Sequence, residues 1–378
     1  MHTYQRVVAA VLALAMTLPM FGQGTKEQVR QTERQAITVV DHDGDSVTLP
    51  RSIDRVVVVN PWPLAALAPI FLGSSEKIVG MPPAVLGAAK AGLLGEIFPD
   101  MLTVRTGFSP SDNVVNVEEL LSLRPDVVFT LAGDKKTKQS IVDAGIPCVS
   151  FSVSAWDYNV LDTYDAWIKL LGEVFPDEGK GDRISAYSHQ VADMIQERVK
   201  DIPDAERKKV LFLFQYGEKT IVTSGKHFFG QYWCDAVGAK NVAEEVGAER
   251  NNAVVNMEQI YQWDPDVILI TNFTPTVPED LYNNTVGSYD WSDVKAVKNK
   301  EVYKMPLGTY RSYTPGADMP VTLQWIAKNV YPDLFSDIDL ESVAKQYFQE
   351  MFGLALTDKQ VHDMFNQDAR GAEGVHLN

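Results

Sequence analysis

The stretch NVEELLSLRPDVVF, Asn116 to Phe129, returns 140 residues later as NMEQIYQWDPDVIL, Asn256 to Leu269. Five of the fourteen positions are identical: Asn116/Asn256, Glu118/Glu258, Pro125/Pro265, Asp126/Asp266 and Val127/Val267. Each copy opens with an asparagine that can cap a helix, and acidic residues follow in the first turn, where they suit the positive helix end. Each then reaches a proline that stops the helix and a β-branched run of buried-strand type. A chain that uses one helix-to-strand unit twice, a domain length apart, is constrained to two related halves.

The surrounding sequence extends each unit into an α/β lobe. RVVVVN (Arg55 to Asn60) is a buried strand, with Asn60 as a cap and Pro61 suited to the first turn of a following helix. KIVGM is a second strand, and Gly92 to Phe98 carries a helical piece. After the first copy come the helix KKTKQSIVDAG, closed by Gly145, and the strand IPCVSFSV. From Asn159 the pattern becomes long helix, with Ile184, Tyr187, Val191, Ile195 and Val199 at three- and four-residue spacing. Strands restart at KVLFLFQ and continue through TIVTSG, the second copy and EVYKMPLG, with the helix FFGQYWCDAVGA between. Helices at Met319 to Asn329, Leu340 to Phe352 and Asp358 to Phe365 close the chain. The fold class is α/β: two Rossmann-like lobes, each with a mainly parallel sheet, joined by a long connecting helix. The boundaries predicted are a signal peptide at 1–24, an N-terminal lobe at 36–158, a connecting segment at 159–202, a C-terminal lobe at 203–366 and a flexible tail at 367–378.

The signal peptide rests on Arg6 followed by VVAAVLALAMTLPMF, a run shorter than the roughly 20 apolar residues of a membrane span. No cysteine lies near the expected cleavage after Gly24, so a periplasmic protein without a lipid anchor is expected. A net charge of −16 argues against nucleic acid or an anionic membrane as partner. Cys148 and Cys234 fall in apolar settings and read as two buried thiols. No Walker loop, nucleophile elbow, zincin pair or dinucleotide fingerprint is present, and the histidines lack ligand spacing. The chain therefore reads as a non-enzyme with no direct metal site and no covalent cofactor.

The sequence resembles the class III periplasmic substrate-binding proteins of ABC importers, which capture iron-siderophores, haem and cobalamin. The resemblance rests on DGDSVTLP with RVVVV, on NVEELLSLRPDVVF, on VTSGK, VGAKNV and MEQIYQWDPDVILIT, and on WIAKNVYPDLF. It implies a monomer that delivers a small-molecule metal chelate to an inner-membrane ABC permease with a cytoplasmic ATPase. It also implies that Glu118 and Glu258 dock arginines of the permease, one glutamate per lobe.

Ligands of such sheets bind outside the carboxyl ends of the strands. Loops there carry Trp62, Arg105, Phe108, Trp156 and Tyr158 from the first half. From the second they carry Tyr216, Lys226, His227, Phe228, Phe273, Tyr310, Arg311 and Tyr313. Aromatic walls with a few cations suit a large, partly apolar anionic chelate, so a ferric siderophore is the expected ligand. Haem, with Tyr216, His227, Tyr310 or Tyr313 as axial ligand, or cobalamin, is the first alternative. A molybdate-type oxyanion bound through Arg105 and Arg311 is the next, and an exported enzyme on this scaffold the most remote.

Overall fold

The computed structural model describes residues 36–109, 114–176, 178–246 and 252–375, so the expected signal peptide lies outside the described residues. A two-stranded antiparallel hairpin, β1 (Ile37–Val40) and β2 (Ser46–Leu49), precedes the first lobe. Its turn brings Asp41, Asp43 and Asp45 around the Lys138 ammonium at 2.7, 3.2 and 2.6 Å. Burial opposes that charge, but the carboxylates, Asp41 first, outweigh it and hold the lysine pKa above its ordinary value. An ammonium thus fills an acidic cluster that has the grouping of a cation loop.

Lobe 1 runs β3 (Val56–Val58), α1 (Trp62–Leu72), β4 (Ile78–Gly80), α2 (Pro83–Ala91), α3 (Leu93–Ile97), α4 (Val117–Ser122), β5 (Val127–Leu131), α5 (Lys135–Asp143) and β6 (Cys148–Phe151). Its four strands lie in the order β4-β3-β5-β6, all parallel. Val56 and Val58 face one core and Val57 the other, all fully buried. That two-sided burial is why the strand reads as a continuous β-branched run rather than an alternating one.

Two helices, α6 (Val160–Val174) and α7 (Lys180–Val199), then lead into lobe 2. The sequence predicts one long connector. The chain instead breaks after Val174 and restarts beyond Gly179, which takes φ 79°. Lobe 2 contains β7 (Lys209–Gly217), β8 (Thr220–Thr223), α8 (Phe229–Ala236), β9 (Lys240–Asn241), β10 (Ala253–Val255), α9 (Met257–Trp263), β11 (Val267–Ile270), α10 (Pro278–Asn283), α11 (Lys295–Lys298) and β12 (Val302–Lys304). Helices α12 (Met319–Val330), α13 (Leu340–Phe352) and α14 (Asp358–Phe365) follow. Its sheet order is β10-β8-β7-β11-β12, with β9 beside β7. β11 is parallel to β7 and β12, whereas β8 pairs antiparallel with β7 and β10.

The lobes share one interior. Trp167 and Ile168 of α6, Phe129 of lobe 1, and Trp233 and Phe212 of lobe 2 belong to the same buried cluster as α12 and α13. The Trp167 indole donates to Ser152 O at 2.7 Å, and Tyr347 of α13 donates to Ala317 O at 2.7 Å. The tail expected to be flexible from Gln367 is packed through Val375 instead. A short 3-10 turn, Ala369–Ala372, buries Gly371 and Ala372. A Cβ placed on Gly87 of α2 would sit 1.9 Å from Glu373 O, so the tail lies hard against lobe 1.

Candidate functional site

The carboxyl ends of the two sheets meet along a seam of aromatic rings. Tyr158, which follows β6 in lobe 1, lies 5.1 Å from Phe228 at the start of α8 in lobe 2. Phe228 lies 5.7 Å from Phe214 of β7, and Phe214 4.9 Å from Phe273, which follows β11. Tyr158, Phe214 and Phe228 are half-buried, so the rings retain accessible surface at the lobe boundary. Phe214 was missed by sequence reasoning. The available signal was its place near the carboxyl end of an apolar strand, where the buried run gives way to the seam.

Each end of the seam is tied across the lobes. At one end His227 Nδ1 meets Asp157 Oδ1 at 3.1 Å. At the other end stands Arg311, and here the structure corrects the sequence. Arg311, expected on an open cleft loop, is fully buried. Its Nε donates to Asn272 O and Gly371 O at 2.9 and 3.0 Å. Nη1 donates to Ala84 O at 3.0 Å and to the Tyr310 hydroxyl at 2.9 Å, and Nη2 to Glu373 O at 2.9 Å. One guanidinium therefore fastens α2 of lobe 1, the β11–α10 loop and the C-terminal segment together, with its planar fork supplying several directed donors. The Phe273 ring lies 5.3 Å from the guanidinium carbon and links this hub to the seam.

A second buried cation stands near the hub. The Lys304 ammonium at the end of β12 donates to Thr271 O, Thr274 O and Thr276 O at 2.9, 2.6 and 2.8 Å. Three carbonyls match the three donors of an ammonium. Burial, and next the charge of Arg311, press its pKa down to about 7. The sequence hint was a lysine in the apolar run EVYKMP, which strand periodicity alone does not explain.

The other expected residues divide plainly. Trp62 is half-buried at the start of α1, just past the carboxyl end of β3. Arg105 is exposed beside the end of β4, where its carbonyl accepts from Met81 N at 3.0 Å. Lys226 is exposed and pairs with Glu244 at 3.5 Å. Phe108 is core, not cleft: its ring would meet a Cβ on Gly80 at 2.9 Å. Trp156 lines the groove flanking α6, with its ring 5.1 Å from His42. Tyr216 is buried, takes a hydrogen bond from Trp291 Nε1 at 2.9 Å and donates to Val286 O at 3.0 Å. Tyr310 and Tyr313 are buried as well, and Tyr313 donates to Ser224 Oγ at 2.7 Å. Burial pushes the Tyr216 phenol up to about 12 and that of Tyr313 further. Tyr313 and Tyr310 pack against the seam rings, Tyr313 at 5.4 Å from Phe214 and Tyr310 at 6.4 Å from Phe273, whereas Tyr216 packs on Trp291 and Tyr289 in a separate core.

On the outer side of each lobe the duplicated unit takes the same form twice. Asn116 Oδ1 caps α4 by accepting Glu118 N and Glu119 N at 3.1 and 3.2 Å. Asn256 caps α9 through Gln259 N at 2.9 Å, and the Gln259 side chain accepts Asn256 N in return at 3.1 Å. The helices end at Arg124 and Asp264, both at positive φ, 46° and 42°. Asp126 then accepts Asp54 N and Arg55 N at 2.8 and 2.9 Å, and Asp266 accepts Lys209 N at 2.8 Å. Arg55 donates to Leu123 O at 2.8 Å, while Lys209 donates to Trp263 O, so a cation caps each helix C-terminus. Leu120 and Ile260 are fully buried, each worth about 1.5–3 kcal/mol. The repeated asparagine, proline, aspartate and apolar residues thus all have work inside the fold. The glutamates do not: Glu118 and Glu258 are exposed, and neither carboxylate has a hydrogen-bond or ion-pair partner among the described residues.

The family model described as periplasmic binding protein matches residues 68–307, the span holding both copies and most of the seam. The chain belongs to the periplasmic binding protein family. Its relatives are substrate-binding components of ABC transporters. This binding protein is 27% identical over 340 residues to the molybdate-binding protein MolA of Haemophilus influenzae, covering 83% of this chain and 90% of MolA. MolA bound to molybdate superposes with a TM-score of 0.70 at 25% identity, over 85% of this chain and 99% of that one. A periplasmic solute binding protein from Veillonella parvula gives a TM-score of 0.77 at 28% identity, over 88% and 97% of the two chains. The Fe(3+)-citrate-binding protein YfmC of Bacillus subtilis is 22% identical, over 88% of this chain and 99% of YfmC.

Proposed function

We propose that this binding protein captures an anionic metal chelate of the ferric-siderophore type in the seam and delivers it, in the periplasm, to an ABC permease. The observation that carries the reading is the seam itself, in which partly open Tyr158, Phe228 and Phe214 lead through buried Phe273 to Arg311. Arg311 is held by carbonyl and hydroxyl rather than carboxylate acceptors, so its charge remains available to attract an anion at the ring surface, while Lys304, its pKa pressed to about 7, adds part of a charge. The rings offer an apolar wall to the organic body of a chelate. A chelated iron needs no protein ligands, which suits a seam built from phenylalanines. Axial ligation of haem by the buried tyrosines is disfavoured because their hydroxyls already make hydrogen bonds, which leaves His227 as the candidate for that alternative.

A second reading, a molybdate-type oxyanion, is favoured by the likeness to MolA over most of both chains. Delivery would use Glu118 and Glu258, one per lobe, against basic groups of the permease subunits. The monomer would act without a reaction or covalent cofactor of its own. Native mass spectrometry of the protein purified from its own host tests the ligand. An added mass matching an iron chelate is expected, and one matching molybdate selects the second reading. A porphyrin mass would overturn both.

A further inference from the structure

Lys304 and Arg311 are buried near each other, and neither makes an ion pair among the described residues. Lys304 gives its protons to carbonyls alone, and Arg311 to carbonyls and one hydroxyl. All three carbonyls around Lys304 belong to the segment after β11, Thr271 to Thr276, which carries Phe273 of the seam. Arg311 Nε takes the Asn272 carbonyl of the same segment. The Thr271 hydroxyl donates to Phe214 O at 2.6 Å and accepts Phe273 N at 3.1 Å. The backbone behind two seam rings is therefore folded around one ammonium.

The other charged groups do not neutralise it. Asp280 of α10 favours the lysine charge, but its carboxylate accepts Val277 N at 2.9 Å and the Thr285 hydroxyl at 2.5 Å. Asp368 in the tail favours it too, and is itself held by Arg370 N and Nε at 2.9 and 2.8 Å. On β12, Glu301 accepts the Tyr303 hydroxyl at 2.5 Å, and β11 contributes only Val267–Ile270. The remaining titratable neighbours are phenols, Tyr282 of α10, which donates to Val302 O at 3.3 Å, and Tyr310. Two buried cations without a carboxylate partner are costly until an anion arrives.

We infer that Lys304 is the charge-sensing residue of the seam: an anion held against the seam rings stabilises the Lys304 ammonium, so capture of the ligand takes up a proton from solvent. This rests on the reading that the seam binds an anion. The step is a proton transfer alone, from solvent to the Nζ lone pair of the neutral amine. Burial, and next the charge of Arg311, hold the folded lysine pKa at about 7, so amine and ammonium coexist near neutrality in the ligand-free protein. The amine has two donors for three carbonyls and the ammonium has three, so protonation also completes the bonds that hold the Phe273 segment. Lys304 acts on the ligand through its field and through that segment, as a positioning residue. The linkage is reciprocal: the proton tightens anion binding by the factor by which the anion tightens proton binding.

Calorimetric titration at one pH in buffers of different ionisation enthalpy counts the protons exchanged. Ligand-stripped protein is titrated with a ferric tris-catecholate, a ferric citrate complex and molybdate. If protonation tightens binding about tenfold, the anion that binds should take up about half a proton near pH 7.5 and almost none at about pH 6. Its affinity should then fall about eightfold between about pH 6 and about pH 9. Lys304→Gln keeps two amide donors but does not titrate, so it should abolish the uptake and flatten the pH dependence, a change that a purely structural lysine would not produce. Binding without proton uptake by the unaltered protein overturns the inference, leaves the anion reading standing and needs no variant to fold. Uptake that persists in folded Lys304→Gln, or that vanishes in His227→Gln, assigns the proton elsewhere and overturns it as well. If none of the three anions binds, the anion reading fails and the inference falls with it.

Discussion

The units built on α4 and α9 share a cap, a left-handed exit, a proline and an aspartate clip, yet they differ in what they attach to. In lobe 1 Asp126 holds two backbone N–H groups at the entry to β3. In lobe 2 Asp266 holds one at β7 and also pairs with Lys295. Lobe 2 alone supplies the two fully or nearly fully buried cations among the described residues, Lys304 and Arg311. The two halves therefore share a scaffold and a repeated outer face, while the charge beside the seam comes from one side. Repetition marks what the two lobes must do alike, and asymmetry marks where a ligand would be told apart from its competitors.

The largest expected effect lies at the asymmetric point. Arg311→Ala leaves buried carbonyls from both lobes and the tail without donors, and should cost about 3–5 kcal/mol in urea unfolding, a size reserved for losses of buried networks. A cost below about 1 kcal/mol, within the range of ordinary surface substitutions or little above it, would show that the hub does not hold the lobes. Next come the shared clips. Asp126→Ala and Asp266→Ala should each lose about 1.5–3 kcal/mol, the range for hydrogen bonds to a charged group. A cost at only one position would break the equivalence of the two units. Glu118→Ala/Glu258→Ala should leave stability nearly unchanged, apart from the small helix-end contribution, and reduce uptake about tenfold, given roughly 0.2–1 kcal/mol per exposed pair. Normal uptake by the stable double variant would end the docking account.

A smaller effect separates the clips by pH. Burial works against the Asp266 charge, but the Lys209 N–H and the Lys295 ammonium outweigh it and hold the carboxyl below its ordinary value. A depressed folded pKa means that the unfolded chain binds the proton more readily. The contribution is therefore fully present above about pH 3.8 and fades as the pH falls through the lower folded value. Asp266→Asn should flatten the acid limb of the stability profile, and an unchanged limb would contradict the assignment. The smallest effect expected is on shape. With a core continuous from α6 to α13 and ties at both ends of the seam, small-angle scattering should show little change in radius of gyration when ligand is added.

Much of this was legible in the sequence, because strong periodicity survives without tertiary information. The helices predicted at Leu340–Phe352 and Asp358–Phe365 stand where expected, and so does the Gly145 terminus of α5 at φ 83°. The seam was legible only in outline. Tyr158, Phe228 and Phe273 could be placed at strand ends by topology, but which neighbouring residues turn inward depends on partners far along the chain. Arg311 is the instructive failure. Its carbonyl acceptors lie 39, 60, 62 and 227 residues away, and no local pattern announces that they converge on one guanidinium. The tail was misread for the same reason, since its composition is that of a frayed end and only its contact with α2 and Arg311 makes it part of the fold.

The central claim is that an anion binds on the aromatic seam between the lobes. Its most direct test is calorimetric titration of ligand-stripped protein with a ferric tris-catecholate, a ferric citrate complex and molybdate, repeated on Phe214→Ala and Phe228→Ala. One of the three anions should bind, and both variants should weaken it about tenfold or more, the effect of removing part of a wall from the site. Binding that is undiminished in both variants would place the ligand elsewhere and contradict the account.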